Sequence, residues 1–127
     1  MVFHFTKHYT LPEAIRLLPR LRVWLEELSE LRASELKTEV ELLKLLSNAD
    51  DIGGEVVNQS LRNLSRMKEI LSEFHRREIQ LKDLDRGLLD FPSLFEGREV
   101  FLCWEKDEPS ITHWHDLEAG YGGRQPL

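Results

Sequence analysis

The hydrophobic positions of this chain change rhythm once, near Ile79, from a three-to-four step to a two step. Before the change, Ala14, Leu18, Leu21, Leu25 and Leu28 recur at helical spacing, with Trp24 and Leu31 widening the stripe. Such spacing places the apolar side chains along one face of an α-helix. Thr10-Leu-Pro-Glu13 opens the segment as a capping box. The Thr10 hydroxyl accepts from the Glu13 N–H, and the Glu13 carboxylate reaches back to the Thr10 N–H. Pro12 falls in the first turn, where its missing donor costs nothing, and Tyr9 and Ala14 hold the staple positions. Pro19 lies beyond that turn and predicts a kink or a break. The stripe resumes at Leu36, Val40, Leu43 and Leu46 after a five-residue step from Leu31, so the seam slips relative to a strict heptad.

Asn48-Ala-Asp-Asp-Ile-Gly-Gly54 reads as a turn, with Gly53 and Gly54 free to take positive φ. A second helix follows, carrying Val57, Leu61, Leu64, Met67, Leu71 and Phe74 at three- and four-residue steps. Two amphipathic helices joined by a short turn pack antiparallel, each shielding the other's stripe.

Beyond Arg77, Ile79 to Lys82 alternates as a half-buried strand does, and Asp85-Arg-Gly87 reads as a turn. Leu88 to Phe91 is a short extended piece that Pro92 ends, and Glu96-Gly97 turns the chain again. Val100, Leu102 and Trp104 alternate with Phe101 and Cys103, so this strand is apolar on both faces and central. Asp107-Glu-Pro109 reverses the chain, and Ile111 to His115 returns antiparallel. Val2 to Phe5 alternates weakly, as an added edge strand would. The pattern predicts a single α+β domain over 1–127. It comprises a long antiparallel helical hairpin over 10–78, a β-meander of three or four strands over 79–116 and a C-terminal loop over 117–127.

Composition agrees with one globular domain: 127 residues, of which 41% are hydrophobic and 31% charged, suffice for a core without staples. The net charge of −6 comes without any concentration of basic residues on one face. That excludes nucleic acid and anionic membranes as first expectations. The single cysteine, Cys103, rules out an internal disulfide and fits a reducing compartment. With no signal-peptide order at the N-terminus and no membrane-length apolar run, the cytoplasm is the expected location.

Three stretches of the second half form a specific motif: Lys82-Asp-Leu-Asp-Arg-Gly-Leu-Leu-Asp-Phe-Pro92, Gly97-Arg-Glu-Val-Phe-Leu-Cys-Trp104 and His113-Trp-His-Asp-Leu-Glu-Ala-Gly-Tyr-Gly-Gly-Arg124. Together with Phe5-Thr6, Leu11-Pro-Glu-Ala14 and Leu17 to Pro19 at the front, they resemble the prokaryotic domain of unknown function number 2203. The resemblance spans the whole chain and implies no activity, cofactor or partner.

The sharpest candidate chemistry is His113-Trp-His115, because residues two apart on a strand share a face. With Glu99 or Glu118 these imidazoles would form part of a divalent-metal site. The register decides. If the hairpin loop is Glu105 to Pro109, Glu99 lies opposite His115, Phe101 lies opposite His113, and Glu99 shares the histidines' face. If the loop is Lys106 to Pro109, Val100 and Leu102 oppose the histidines and Glu99 points away.

A second candidate is an anion- or ligand-binding set. Asp90 sits in an apolar stretch and needs a partner, which Arg98, Arg124 or His113 could supply, and Arg124 follows a glycine-rich tail. Asp83 and Asp85 read as turn formers. Cys103 reads as a small buried apolar group. Trp24, Trp104 and Trp114 read as core or interface aromatics. His4, His8 and His75 show no ligand spacing.

No complete catalytic set is visible. Val23, Trp24, Ala33, Leu36, Leu42 and Leu45 exceed what one helical partner covers. The expectation is therefore a non-enzymatic interaction or scaffold module that forms a homo-oligomer or meets a protein partner. The alternative is a small metal- or anion-binding protein, or metal-dependent enzyme, built on His113 and His115.

Overall fold

A computed structural model describes residues 2–47 and 54–127. The turn expected between Asn48 and Gly53 lies outside the described residues. Helix α1 (Leu11–Ser47) is 37 residues long and runs through Pro19 as one element, about 55 Å at the usual rise. Its start carries both bonds of the capping box, Glu13 N–H to Thr10 Oγ1 at 3.3 Å and Thr10 N–H to Glu13 Oε1 at 3.0 Å. Helix α2 spans Gly54–Arg76. The cross-helix pairs Trp24–Phe74, Glu27–Arg66, Ser34–Asn63 and Glu35–Ser60 descend along α2 as they climb α1, so the two helices are antiparallel.

The strands are β1 (Gln80–Asp83), β2 (Leu88–Phe95), β3 (Arg98–Glu105), β4 (His113–Asp116) and β5 (Gln125–Pro126). They form one antiparallel sheet in sequence order. The tail is therefore not only a loop: Gln125 and Pro126 add a fifth strand beside β4. Val2 to Phe5 adds no strand.

Glu96 and Gly97 both have positive φ, 52° and 79°, as a two-residue hairpin turn between right-twisted strands requires. That turn sets Phe95 opposite Arg98 and hence Asp90 opposite Cys103. Pro92 does not end the strand. A residue's N–H and C=O point to the same side of a strand, and at Pro92 that side faces away from β3. There β1 has already stopped, and the Pro92 carbonyl accepts from Tyr9 N–H at 2.7 Å. The missing donor is thus absent from an edge rather than from the ladder.

Alternate residues of the sheet divide two ways. Leu89, Phe91, Leu102, Trp104 and Trp114 join Ala14, Leu18, Leu21, Trp24, Leu25 and Leu28 of α1 and Ile70 and Phe74 of α2 in the main core. Asp90, Pro92, Phe101, Cys103 and His115 point to the other face, which Phe5 covers from the N-terminal segment by packing on Phe101.

The β3–β4 register is neither of the two expected. His113 opposes Cys103 and His115 opposes Phe101. The loop is longer because Glu108 N–H bonds Glu105 O to close one turn, and the chain then detours to bury Ile111 in the core. The offset from the first expected register is two residues, which keeps the faces.

The distal hairpin departs most from expectation. Leu36, Val40, Leu43 and Leu46 of α1 are exposed, as are Val57, Leu61, Leu64 and Leu71 of α2. The seam between the helices there holds buried Glu35, Thr38 and Asn63 instead. Ser60 donates to Glu35 Oε1 at 2.7 Å, and Asn63 Nδ2 donates to Ser34 Oγ at 3.1 Å. The regular leucine spacing is real, but its stripe lies one residue past the seam on each helix, a rotation of about 100°.

Candidate functional site

Asp90, Cys103 and His115 meet on the sheet face turned away from the helices. The strand register brings them together: Asp90 and Cys103 are direct partners, and His115 lies diagonal to Cys103 on the next strand. All three are buried, at 3%, 0% and 1% exposure. His115 Nε2 is 3.0 Å from Asp90 Oδ1, and His115 Nδ1 is 2.7 Å from the Asp116 carbonyl oxygen. A carbonyl oxygen only accepts, so Nδ1 carries a proton and donates it. Nε2 and the carboxylate then share a second proton between them, since two acceptors would repel. Burial pushes the Cys103 thiol up to about 12, with Asp90 adding to the shift and Arg124 opposing it. As it stands the thiol is neutral and no nucleophile.

The predicted metal set does not converge. Glu99 shares the histidines' face, yet its carboxylate turns to the N-terminal segment. It accepts from His4 N–H at 2.8 Å and Phe5 N–H at 3.0 Å, and it lies 3.1 Å from His4 Nδ1 and 2.9 Å from His8 Nε2. Glu118 is exposed. His113 sits beside Thr112 Oγ1 at 2.9 Å and Glu108 at 3.8 Å. The predicted ligand set separates likewise. Asp90 pairs with His115, Arg98 bridges Asp116 at 3.0 Å on the surface, and Arg124 bonds Glu108 at 2.7 and 2.9 Å. Asp90 did need a partner, but the partner is none of the three expected.

Sequence reasoning missed three participants. His4 and His8 have no ligand spacing because they reach Glu99 from more than ninety residues away. Glu108 joins His113 and Arg124, and its carbonyl takes Trp104 Nε1–H and Arg22 Nη2–H. Cys103 was legible: counting back from a two-residue turn at Glu96-Gly97 puts it opposite Asp90.

The Glu99 cluster yields a pH prediction. Burial alone would raise this carboxyl. The donors from His4 N–H, His8, Phe5 N–H and the His4 ring overcome that and bring it down to about 2. A depressed carboxyl contributes stability above its unfolded value, near 4.3, and loses that contribution as pH falls towards 2. Glu99→Gln is expected to cost about 2 kcal/mol at pH 7 and to flatten the acid limb of stability between pH 4.5 and 2. Denaturant unfolding at several pH values checks this. An unchanged acid limb in the variant would contradict it.

Among the described residues no helix is long and apolar enough to cross a membrane. Residues 7–127 match the model of one family, described as uncharacterized conserved protein (DUF2203). No curated protein and no solved structure gives a significant match.

Proposed function

We propose, for a chain that belongs to the DUF2203 family, that its working surface is the apolar flank of the distal hairpin, which docks on a second copy to build a four-helix scaffold. One observation carries this reading: polar Glu35, Thr38 and Asn63 are buried in the hairpin seam and Leu42 and Leu45 are half-buried, while a second apolar stripe faces outward, from 38% exposure at Val57 to 65% at Leu43. A monomer leaves that outer stripe in water while it buries Glu35 and Asn63 in the seam.

The two stripes lie on one side of the hairpin. Leu36 follows the seam residue Glu35, and Leu61 follows Ser60, its partner across the seam. In antiparallel helices of the same hand, residues just after the seam turn to the same flank. Residues just before it turn to the opposite flank, where Glu27 meets Arg66 at 3.0 Å. The hairpin as a whole is therefore amphipathic, one flank of Leu and Val and the other of ion pairs. A flank lined at matching steps from both helices is self-complementary, which suits a two-fold, isologous contact. A second copy fits it better than a basic partner would, because the flank offers apolar side chains and no acidic row. Cys103 kept reduced suits the cytoplasm.

The wild-type chain is expected at twice its 15.0 kDa mass in sedimentation equilibrium at low micromolar concentration. The double substitution Leu43→Glu with Leu61→Glu is expected to give a folded monomer, since both side chains are exposed. Val23→Glu, at an exposed position beside Arg22 and Glu26 on the charged flank, is expected to leave the assembly intact. A wild-type monomer at these concentrations would overturn the proposal.

A further inference from the structure

The geometry points to a second site: we propose that Asp90, Cys103 and His115 bind one divalent cation of the zinc type. Their ligand atoms, one oxygen, one sulfur and one nitrogen, all lie within 4.8 Å of one another. Tetrahedral coordination at about 2.0–2.3 Å places ligand atoms somewhat under 4 Å apart, so small side-chain rotations close the set. The sulfur and nitrogen donors select a borderline-soft ion over magnesium or calcium, which prefer oxygen.

The outer shell is already built. A metal-ligating imidazole commonly donates its other N–H to a carbonyl or carboxylate, which fixes the tautomer and aims the free nitrogen. His115 Nδ1 does this to the Asp116 carbonyl, leaving Nε2 pointed at Asp90. Charge also balances, because an ionised Asp90 and Cys103 offset a dication in a site where an unbalanced charge is costly. Arg124 donates to both carboxylate oxygens of Glu108, at 2.7 and 2.9 Å. Three protein ligands leave one position open for water or an exogenous ligand. The site belongs to the sheet and the assembly surface to the hairpin, so either can fail without the other.

The test uses Co2+ in place of zinc, incubated long with the full-length protein under reducing conditions because the ligands are buried. One Co2+ per chain is expected, with the visible bands of four-coordinate cobalt and a near-ultraviolet thiolate-to-cobalt band. Zinc should displace it. Cys103→Ala should abolish the near-ultraviolet band and weaken binding about tenfold or more. X-ray absorption of the zinc-loaded wild type keeps the test open if the variant misfolds, and one sulfur neighbour at about 2.3 Å is expected. Absence of that sulfur overturns the proposal. So does cobalt bound with no thiolate band, which would place the ion on His4 and His8 beside Glu99. Failure to bind any Co2+ or zinc also overturns it.

Discussion

Asp90→Ala is expected to destabilise the metal-free protein by about 3–5 kcal/mol, the usual cost of removing one member of a buried, hydrogen-bonded acid–imidazole pair. The size follows from where the pair sits. Asp90 and His115 are 3% and 1% exposed, and their contact at 3.0 Å is the only one that satisfies His115 Nε2 among the described residues. Deleting the carboxylate leaves the imidazole with an unanswered nitrogen in a dry site and a small cavity between β2 and β4. The double variant Asp90→Ala with His115→Leu removes both polar ends and refills part of the space. It should recover much of the loss, because a well-packed apolar replacement for a buried pair is often neutral. Urea unfolding in the presence of a chelator measures both. A cost below about 1 kcal/mol for the single variant would show that the pair contributes no more than an exposed ion pair.

Trp104→Ala is expected to cost a similar amount, about 3–5 kcal/mol, for a different reason. Trp104 is fully buried on the helix side of β3, within the core shared by sheet and hairpin. Its Nε1–H donates to the Glu108 carbonyl at 2.9 Å, and Arg22 of α1 lies over its ring at 4.9 Å while donating to the same oxygen at 2.8 Å. One side chain thus connects α1, β3 and the loop before β4. Trp104→Phe keeps most of the apolar volume and should lose only about 1–2 kcal/mol for the missing donor. Calorimetry gives the decisive detail. If hairpin and sheet share one core, the alanine variant still unfolds in a single, lower transition. Two separate transitions would mean that the sheet and the helices stand on independent cores.

The architecture was legible wherever local chemistry fixes geometry. The capping box at Thr10 and Glu13, the change of rhythm at Ile79 and the turn at Glu96-Gly97 each depend on residues close in sequence, and each is present. Legibility failed where the outcome depends on what lies across the fold. Pro92 reads as a strand terminator until it is known that β1 stops short beside it. The leucine spacing of α1 and α2 identifies helices with an apolar side, but spacing carries no information about which neighbour that side meets. Glu35, Thr38 and Asn63 took the seam instead.

The candidate site was half visible. Asp90 and His115 were both singled out, in separate sets, and neither of the two expected registers across the loop before β4 is the one that brings them together. His4 and His8 left no local signal, since each reaches Glu99 from more than ninety residues away, and Glu108 reads in the sequence only as part of a turn, although His113 lies five residues on.

The place where Tyr9 lies against Pro92 has a further consequence. A β-strand whose outer rim is bare invites another chain to pair along it. The second half of β2 would be such a rim, but Tyr9 N–H takes the Pro92 carbonyl and the Ser93 hydroxyl returns a bond to the Tyr9 carbonyl at 2.6 Å. Pro92 itself offers an intruder no donor. The residues leading into α1 thus act as a selvedge, finishing the fabric of the sheet so that this stretch of β2 is closed to a second copy that would otherwise extend it into a fibre.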